Sequence, residues 1–181
     1  MKAILFTASG CTRCKIAKSV MEERAVNYAE KDIKGGGKED FQRFYRDHRE
    51  IIHRSNEGIQ FPILSDGTEI RQGLAGVVAY VMAGPALDGF IGYGDRTGNW
   101  ANGFHVSGGD MAEANAFYKV LRFLKKNGLK LELETDGRNA DVLERLLEES
   151  LGDRAVMNLI GPLFLYARIL EAPIDDQEIL R

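Results

Sequence analysis

The chain has 181 residues, of which 44% are hydrophobic and 28% charged, and its 24 basic and 27 acidic residues leave a formal net charge of −3. That length admits one domain or two small ones, the composition argues against a disordered chain, and so small a charge gives no broad electrostatic case for nucleic-acid binding. No apolar run approaches the ~20 residues that span a bilayer, and the longest, Leu159 to Leu170, is interrupted by Gly161, Pro162 and Arg168. The apolar run within Met1 to Thr7 is too short for a signal peptide, and no small-residue cleavage site follows it. The expectation is a cytoplasmic protein that engages neither membrane nor nucleic acid.

Lys2 to Thr7 is predicted as a buried strand, Ala8-Ser9-Gly10 as a turn, and about Thr12 to Arg24 as a helix with Ile16, Ala17, Val20 and Met21 on one face. Val26 to Asp32 reads as a second strand and Gly35-Gly36-Gly37 as a turn. Lys38 to Arg54 reads as a helix, with Phe41, Phe44, Tyr45, His48, Ile51 and Ile52 on one stripe. Phe61 to Leu64 is expected to pair with Thr68 to Arg71 through a two-residue turn at Asp66-Gly67. Leu74 to Met82 is a short apolar helix, and Gly84-Pro85 marks a boundary. The order strand, helix, strand, helix, hairpin, helix predicts a mixed sheet covered by helices.

After the boundary comes a glycine-rich stretch, Gly84 to Gly109, with Phe90-Ile91 and Phe104-His105-Val106 as candidate strands. Met111 to Lys126 is predicted as a helix with Phe117, Val120, Leu121 and Leu124 inward, closed by Asn127-Gly128. Leu129 to Glu134 is a strand, Asn139 to Leu151 a helix with Val142, Leu143, Leu146 and Leu147 inward, and Ala155 to Ile160 a strand. Strands separated by single helices imply parallel βαβ units. The fold class is therefore α/β, with one domain over residues 1–84 and another over 85–181.

Both cysteines, Cys11 and Cys14, lie in one C-x-x-C pair. In a reducing compartment that spacing points to redox chemistry or metal binding rather than to a structural staple. A Cys2His2 zinc site would need two of His48, His53 and His105, and His48 and His53 have an allowed spacing for one. The redox alternative is favoured by position. The pair follows a strand and a glycine turn and opens a helix, whose unpaired N–H groups stabilise an anion. A Cys11 thiolate there is more acidic than a free thiol, with Arg13 and Lys15 adding positive charge. Cys11 would attack a substrate disulfide and Cys14 would resolve the mixed disulfide.

The run Phe6-Thr7-Ala8-Ser9-Gly10-Cys11-Thr12-Arg13-Cys14 resembles the active-site segment of glutaredoxins and related thioredoxin-fold proteins. The resemblance covers about residues 1–84. It implies a thioredoxin-like domain in which Phe61-Pro62 stands opposite the cysteines in a cis peptide, and in which Arg13, Phe61, Pro62 and Gly73 contact substrate. Ala8-Ser9-Gly10 replaces the family's Lys-containing turn, Gln60-Phe61 its Thr-Val, and Gln72-Gly73-Leu74-Ala75 its Gly-Gly-x-Asp. Glutathione and a thioredoxin-reductase-type donor both stay open as the source of electrons. The implied activity is disulfide reduction in a protein or small-molecule substrate, with no cofactor.

A second resemblance covers Asp88 to about Ile179. Phe104-His105-Val106-Ser107-Gly108-Gly109-Asp110, Gly128 to Gly137 and Val156 to Leu163 are similar to three ordered segments of radical S-adenosylmethionine enzymes, nearest the activating enzymes of glycyl-radical proteins. Those enzymes hold an iron–sulfur cluster on a C-x3-C-x2-C loop, whereas no cysteine follows Cys14 here. The resemblance therefore implies a partial (β/α) barrel without the cluster. The turn at Ser107-Gly108-Gly109 is a candidate anion site, or a plain strand-to-helix turn capped by Asp110. Trp100, with Tyr93 and Phe90, either lines a pocket or packs in the core. The open edge of such a sheet is expected to be covered by the first domain, a partner chain or a second copy, which allows a homodimer. The alternative to an enzyme is a redox, iron–sulfur or metal-binding adaptor that docks on a radical or reductase enzyme through its second half.

Overall fold

A computed structural model of the chain describes residues 3–159 and 161–170. The chain divides into two compact units, Met1–Pro85 with Tyr93–Asp95, and Ala86–Gly92 with Arg96–Arg181. Both are mixed α/β. Lys2 and Ile160, the expected ends of the first and last strands, lie outside the described residues, as does the second resemblance beyond Leu170.

The first unit runs β1 (Ala3–Thr7), α1 (Thr12–Glu23), β2 (Tyr28–Asp32), α2 (Lys38–His48), β3 (Arg54–Ser55), β4 (Gly58–Ile59), β5 (Ile63–Ser65), β6 (Ile70–Gln72) and α3 (Gly73–Ala83). Its mixed sheet has the order β2-β1-β5-β6, with β1 parallel to β2, antiparallel to β5, and β5 antiparallel to β6. Alternation along β1 sends Leu5 and Phe6 to opposite faces, and both are buried. Phe6 packs on Phe41 and Phe44 of α2, at ring-centroid distances of 5.3 and 4.8 Å, with Ile52 and Ile63 alongside. α1 packs on α3, bringing Ile16, Ala17, Val20 and Met21 together with Leu74, Val77 and Val78 in a buried layer.

Two local features differ from the sequence expectation. The helix predicted to Arg54 ends at His48, whose carbonyl accepts from the N–H groups of both Ile51 and Ile52. Ile52, 3% exposed, leaves the helical path to join the Phe6 core. The segment beyond forms the small β3–β4 hairpin, in which the Ser55 hydroxyl accepts from Glu57 N–H and donates to the Gly58 carbonyl. Such local side-chain bonds compete with helix continuation. The β5–β6 turn also has four residues, Asp66 to Glu69, not two, because the Asp66 carboxylate accepts from the Thr68 and Glu69 amides.

That turn is latched to α3. The Tyr80 hydroxyl donates to Asp66 at 2.6 Å. This bond, with the two turn amides, holds the Asp66 carboxyl down at about 2, and the same bond pushes the Tyr80 phenol up to about 12. A carboxyl lowered by folding stabilises above its ordinary range and loses that contribution as pH falls through its folded value. Tyr80→Phe is expected to destabilise the first unit by about 1 kcal/mol near neutral pH, with the gap to the parent closing as the pH falls toward about 2. Denaturant titrations across that range check this, and a gap independent of pH would contradict the latch.

The second unit runs β7 (Trp100–His105), α4 (Ala114–Lys126), β8 (Lys130–Thr135), α5 (Ala140–Glu148), β9 (Arg154–Met157) and the short α6 (Tyr166–Ile169). Its three strands are all parallel, in the order β7-β8-β9. Phe117, Val120, Leu121 and Leu124 of α4 are fully buried, as the apolar period predicts. On α5 only Val142 and Leu146 are buried, and Leu147 is 52% exposed. Met111–Glu113, expected in the long helix, forms a separate 3-10 turn capped by the Asp110 carboxylate on Ala112 N–H. Phe90-Ile91, expected as a strand, makes a single bridge, Ile91 to Phe104. Phe90 instead stacks on Phe117 at 4.4 Å.

Among the described residues no helix is long and apolar enough to cross a membrane.

Candidate functional site

The site in the first unit is built where β1 hands over to α1. Cys11 N–H donates to the Ala8 carbonyl at 3.0 Å, closing a tight turn with Gly10 at φ +81°. A positive φ at that place suits glycine and little else. The turn leaves Cys11 in an extended conformation as the N-cap of α1, where its sulfur accepts from Cys14 N–H at 3.0 Å. A side chain that accepts there satisfies one of the orphan donors of the helix. Cys11 and Cys14 are joined by a disulfide, with Cα atoms 5.3 Å apart. Their exposures are unequal: Cys14 is 2% exposed and Cys11 is half-buried.

Arg13 sits between the cysteines, half-buried. Burial pushes its guanidinium below its ordinary value, yet an arginine stays charged at neutral pH. Pro62 is buried, and the Phe61–Pro62 peptide is cis. The β1–β5 register pairs Phe6 with Ile63, so one step further sets Pro62 beside Thr7, at the end of β1 from which the cysteine turn departs. Phe61 packs edge-on against Phe41 at 5.1 Å. Gly73 opens α3 with φ +76° and donates its N–H to the Pro62 carbonyl at 2.9 Å. Phe61, Pro62 and Gly73 thus belong to one connected corner, next in register to the strand that leads into the cysteine turn.

Three residues here carry no sequence signal. Gln72 grips the His53 backbone both ways, accepting from its N–H at 2.8 Å and donating to its carbonyl at 2.9 Å, so the chain before Pro62 is tied to the start of α3. Asp32, at the end of β2, accepts from Ser9 N–H at 3.1 Å, from the Ser9 hydroxyl and from Lys34 N–H at 2.9 Å. The Ser9 hydroxyl, foremost, holds the Asp32 carboxyl below the usual range. Lys34 Nζ donates to the Ser9 carbonyl at 3.3 Å. Only the parallel pairing of Thr7 with Asp32 brings these groups to the cysteine turn.

His48 packs on Phe44 at 4.5 Å and His53 stacks on Tyr93 at 4.4 Å, both in the first unit, whereas His105 lies in β7. Among the described residues no group of three or more His, Cys, Asp and Glu side chains is placed to hold a metal ion.

The second unit has its own candidate, a cavity of about 280 Å³ at the carboxyl ends of its parallel strands. It is lined by His105, Ser107, Glu134, Thr135, Asp136 and Arg138, together with Gly108 and Asn158. His105 Nδ1 is 3.6 Å from Glu134, and Arg138 forks onto Asp136 at 2.7 Å. Burial opposes ionisation of Asp136, but the Arg138 bonds outweigh it and keep the carboxyl below its ordinary value. The Ser107 hydroxyl bonds with Thr135, donates to the Arg138 carbonyl and accepts from Asp136 N–H. Trp100 lies elsewhere, its ring under Arg96 and Lys130 at 5.9 and 5.6 Å, and Phe90 is core. No family model, no curated protein and no solved structure matches this chain.

Proposed function

We propose that the chain is a thiol–disulfide oxidoreductase whose first unit is a glutaredoxin-like, thioredoxin-type domain. The observation that carries the reading is the capped pair: a half-buried Cys11 sulfur at the N-terminus of α1, disulfide-bonded to a buried Cys14 one turn deeper. In the reduced protein the helix N–H groups favour a Cys11 thiolate. That thiolate attacks one sulfur of a substrate disulfide, forms the Cys11 mixed disulfide and releases the first substrate thiolate, which takes up a proton. Cys14 then loses its proton and attacks the Cys11 sulfur, releasing the second substrate thiol and leaving the Cys11–Cys14 disulfide. Two electrons pass from protein to substrate, and an external thiol or reductase must return them. The burial of Cys14, against a half-buried Cys11, supports Cys11 as the attacking sulfur.

Parallel redox titrations test the reading, one against glutathione and one against thioredoxin reductase with NADPH. Reduction of the Cys11–Cys14 bond by either, coupled to insulin reduction, is the expected outcome. A protein that reduces no disulfide, or one that is coloured and metal-loaded after anaerobic purification, would favour the adaptor function instead.

A second reading rests on the polar cavity of the second unit, since ligands of parallel α/β sheets bind beyond the carboxyl ends of the strands. We propose that it accepts a small polar molecule, with S-adenosylmethionine the first probe because of the resemblance of residues 88–179. A melting temperature that climbs with probe concentration, and ceases to do so in Asp136→Asn, is expected. A flat response in the parent would remove this second function.

A further inference from the structure

In the cysteine turn Ser9 and Gly10 are exposed, and Cys11 N–H closes the turn on the Ala8 carbonyl. Every polar group of Ser9 is nonetheless engaged from outside. Its N–H and hydroxyl donate to Asp32, and its carbonyl accepts from Lys34 Nζ. Asp32 is itself held by the loop that follows β2. Lys34 N–H donates to its carboxylate, and the Gly35 and Gly37 amides donate to its carbonyl at 3.0 and 2.9 Å. At Gly37 that loop has no room for a side chain, because a Cβ there would lie 2.7 Å from the Lys31 carbonyl carbon and 2.9 Å from Asp32 N.

We propose that Asp32 is a positioning residue: by gripping Ser9 it fixes the Ala8–Cys11 turn, and so keeps the Cys11 sulfur in the cap position at the head of α1. The inference rests on the redox function argued above and adds the device that sets the reactivity of its nucleophile. Its two possible effects on Cys11 have opposite signs. As a bare negative charge near the sulfur, Asp32 would disfavour the thiolate, offset by Lys34, Lys15 and Arg13. As a clamp, it favours the thiolate by holding sulfur against the helix N–H groups. Because Ser9 and Lys34 keep its carboxyl below the usual range, Asp32 is ionised throughout any thiol titration.

The experiment uses the full chain, reduced, with Cys11 followed by ultraviolet thiolate absorbance and by alkylation with iodoacetamide, alongside insulin reduction. Asp32→Ala is expected to raise the Cys11 pKa by about 0.5 to 1, read as roughly three- to tenfold slower alkylation near neutral pH, the size expected for loss of a helix cap. Ser9→Ala, at an exposed site, is expected to move it the same way, and the double variant no further. Asp32→Asn, which loses the charge but keeps an acceptor for Ser9 N–H, is expected to change it least. A Cys11 pKa that falls or stays put in both Asp32→Ala and Ser9→Ala overturns the proposal, and Ser9→Ala alone decides it if Asp32→Ala does not fold. A parent that alkylates but reduces no disulfide would overturn the redox function and leave the clamp to be judged by alkylation.

Discussion

Cys11→Ser is expected to bring disulfide reduction down to the uncatalysed background, a loss of more than about a thousandfold. A serine hydroxyl at that place still caps α1 on Cys14 N–H, so the fold should persist while the nucleophile is gone. Cys14→Ser is expected to behave differently. The half-buried Cys11 still attacks, but the buried resolving sulfur is absent, so a mixed disulfide with substrate accumulates. Insulin turbidity reads the first variant, and a non-reducing gel or intact mass reads the second. Retained turnover in Cys11→Ser would defeat the assignment. If Cys14→Ser instead showed no adduct, Cys11 would not be the attacking sulfur.

Gly109→Ala is expected to destabilise the second unit by about 1–3 kcal/mol, as overpacking a filled core does, and to lower its melting temperature by about 4–8 °C for each kcal/mol. Gly109 has φ −88°, which any residue adopts. Its need for glycine is steric: an added Cβ would fall on the ring carbons of Phe90. That ring is fully buried and stacks nearly parallel on Phe117, at 10°. Phe117 in turn packs against Phe104, so the ring has no room to retreat. Beside it, Gly108 and Gly89 approach backbone to backbone, and a Cβ on Gly108 would lie 2.6 Å from the Gly89 carbonyl oxygen. Gly36→Ala, with nothing within 4 Å of the added carbon, is the control expected to leave stability unchanged. Circular-dichroism melts of both variants check the contrast. An unaltered melt for Gly109→Ala together with weakened ligand binding would mean that the glycine pair serves a bound molecule rather than the aromatic stack.

The units also separate these two tests. Cys14 is buried on α1, whose apolar face packs on α3 within the first unit, and Gly109 lies on the Phe90–Phe117 stack of the second. Gly109→Ala should therefore leave the alkylation rate of reduced Cys11 unchanged, while Cys11→Ser leaves the second unit's melt unchanged.

Local sequence determined what depends on neighbours within one or two turns. The three-residue spacing of Cys11 and Cys14 behind a glycine turn is enough to place one sulfur at a helix cap and the other one turn deeper, because cap geometry involves only the first helical turn. The apolar period of Phe117, Val120, Leu121 and Leu124 likewise marks the buried face of α4 without reference to its partner. Tertiary structure decided everything that rests on which distant segments meet. Ile52 continues the helical stripe of Phe41 and Phe44 in sequence, yet the pull of the Phe6 core ends the helix at His48. Asp32 reaches Ser9 across 23 residues only because β2 pairs in parallel with β1, and Gly109 owes its identity to the ring of Phe90, well before it in the chain. Periodicity and caps are properties of a short stretch of backbone, whereas strand pairing and close packing are settled by the whole core at once, and no local pattern encodes which partner arrives.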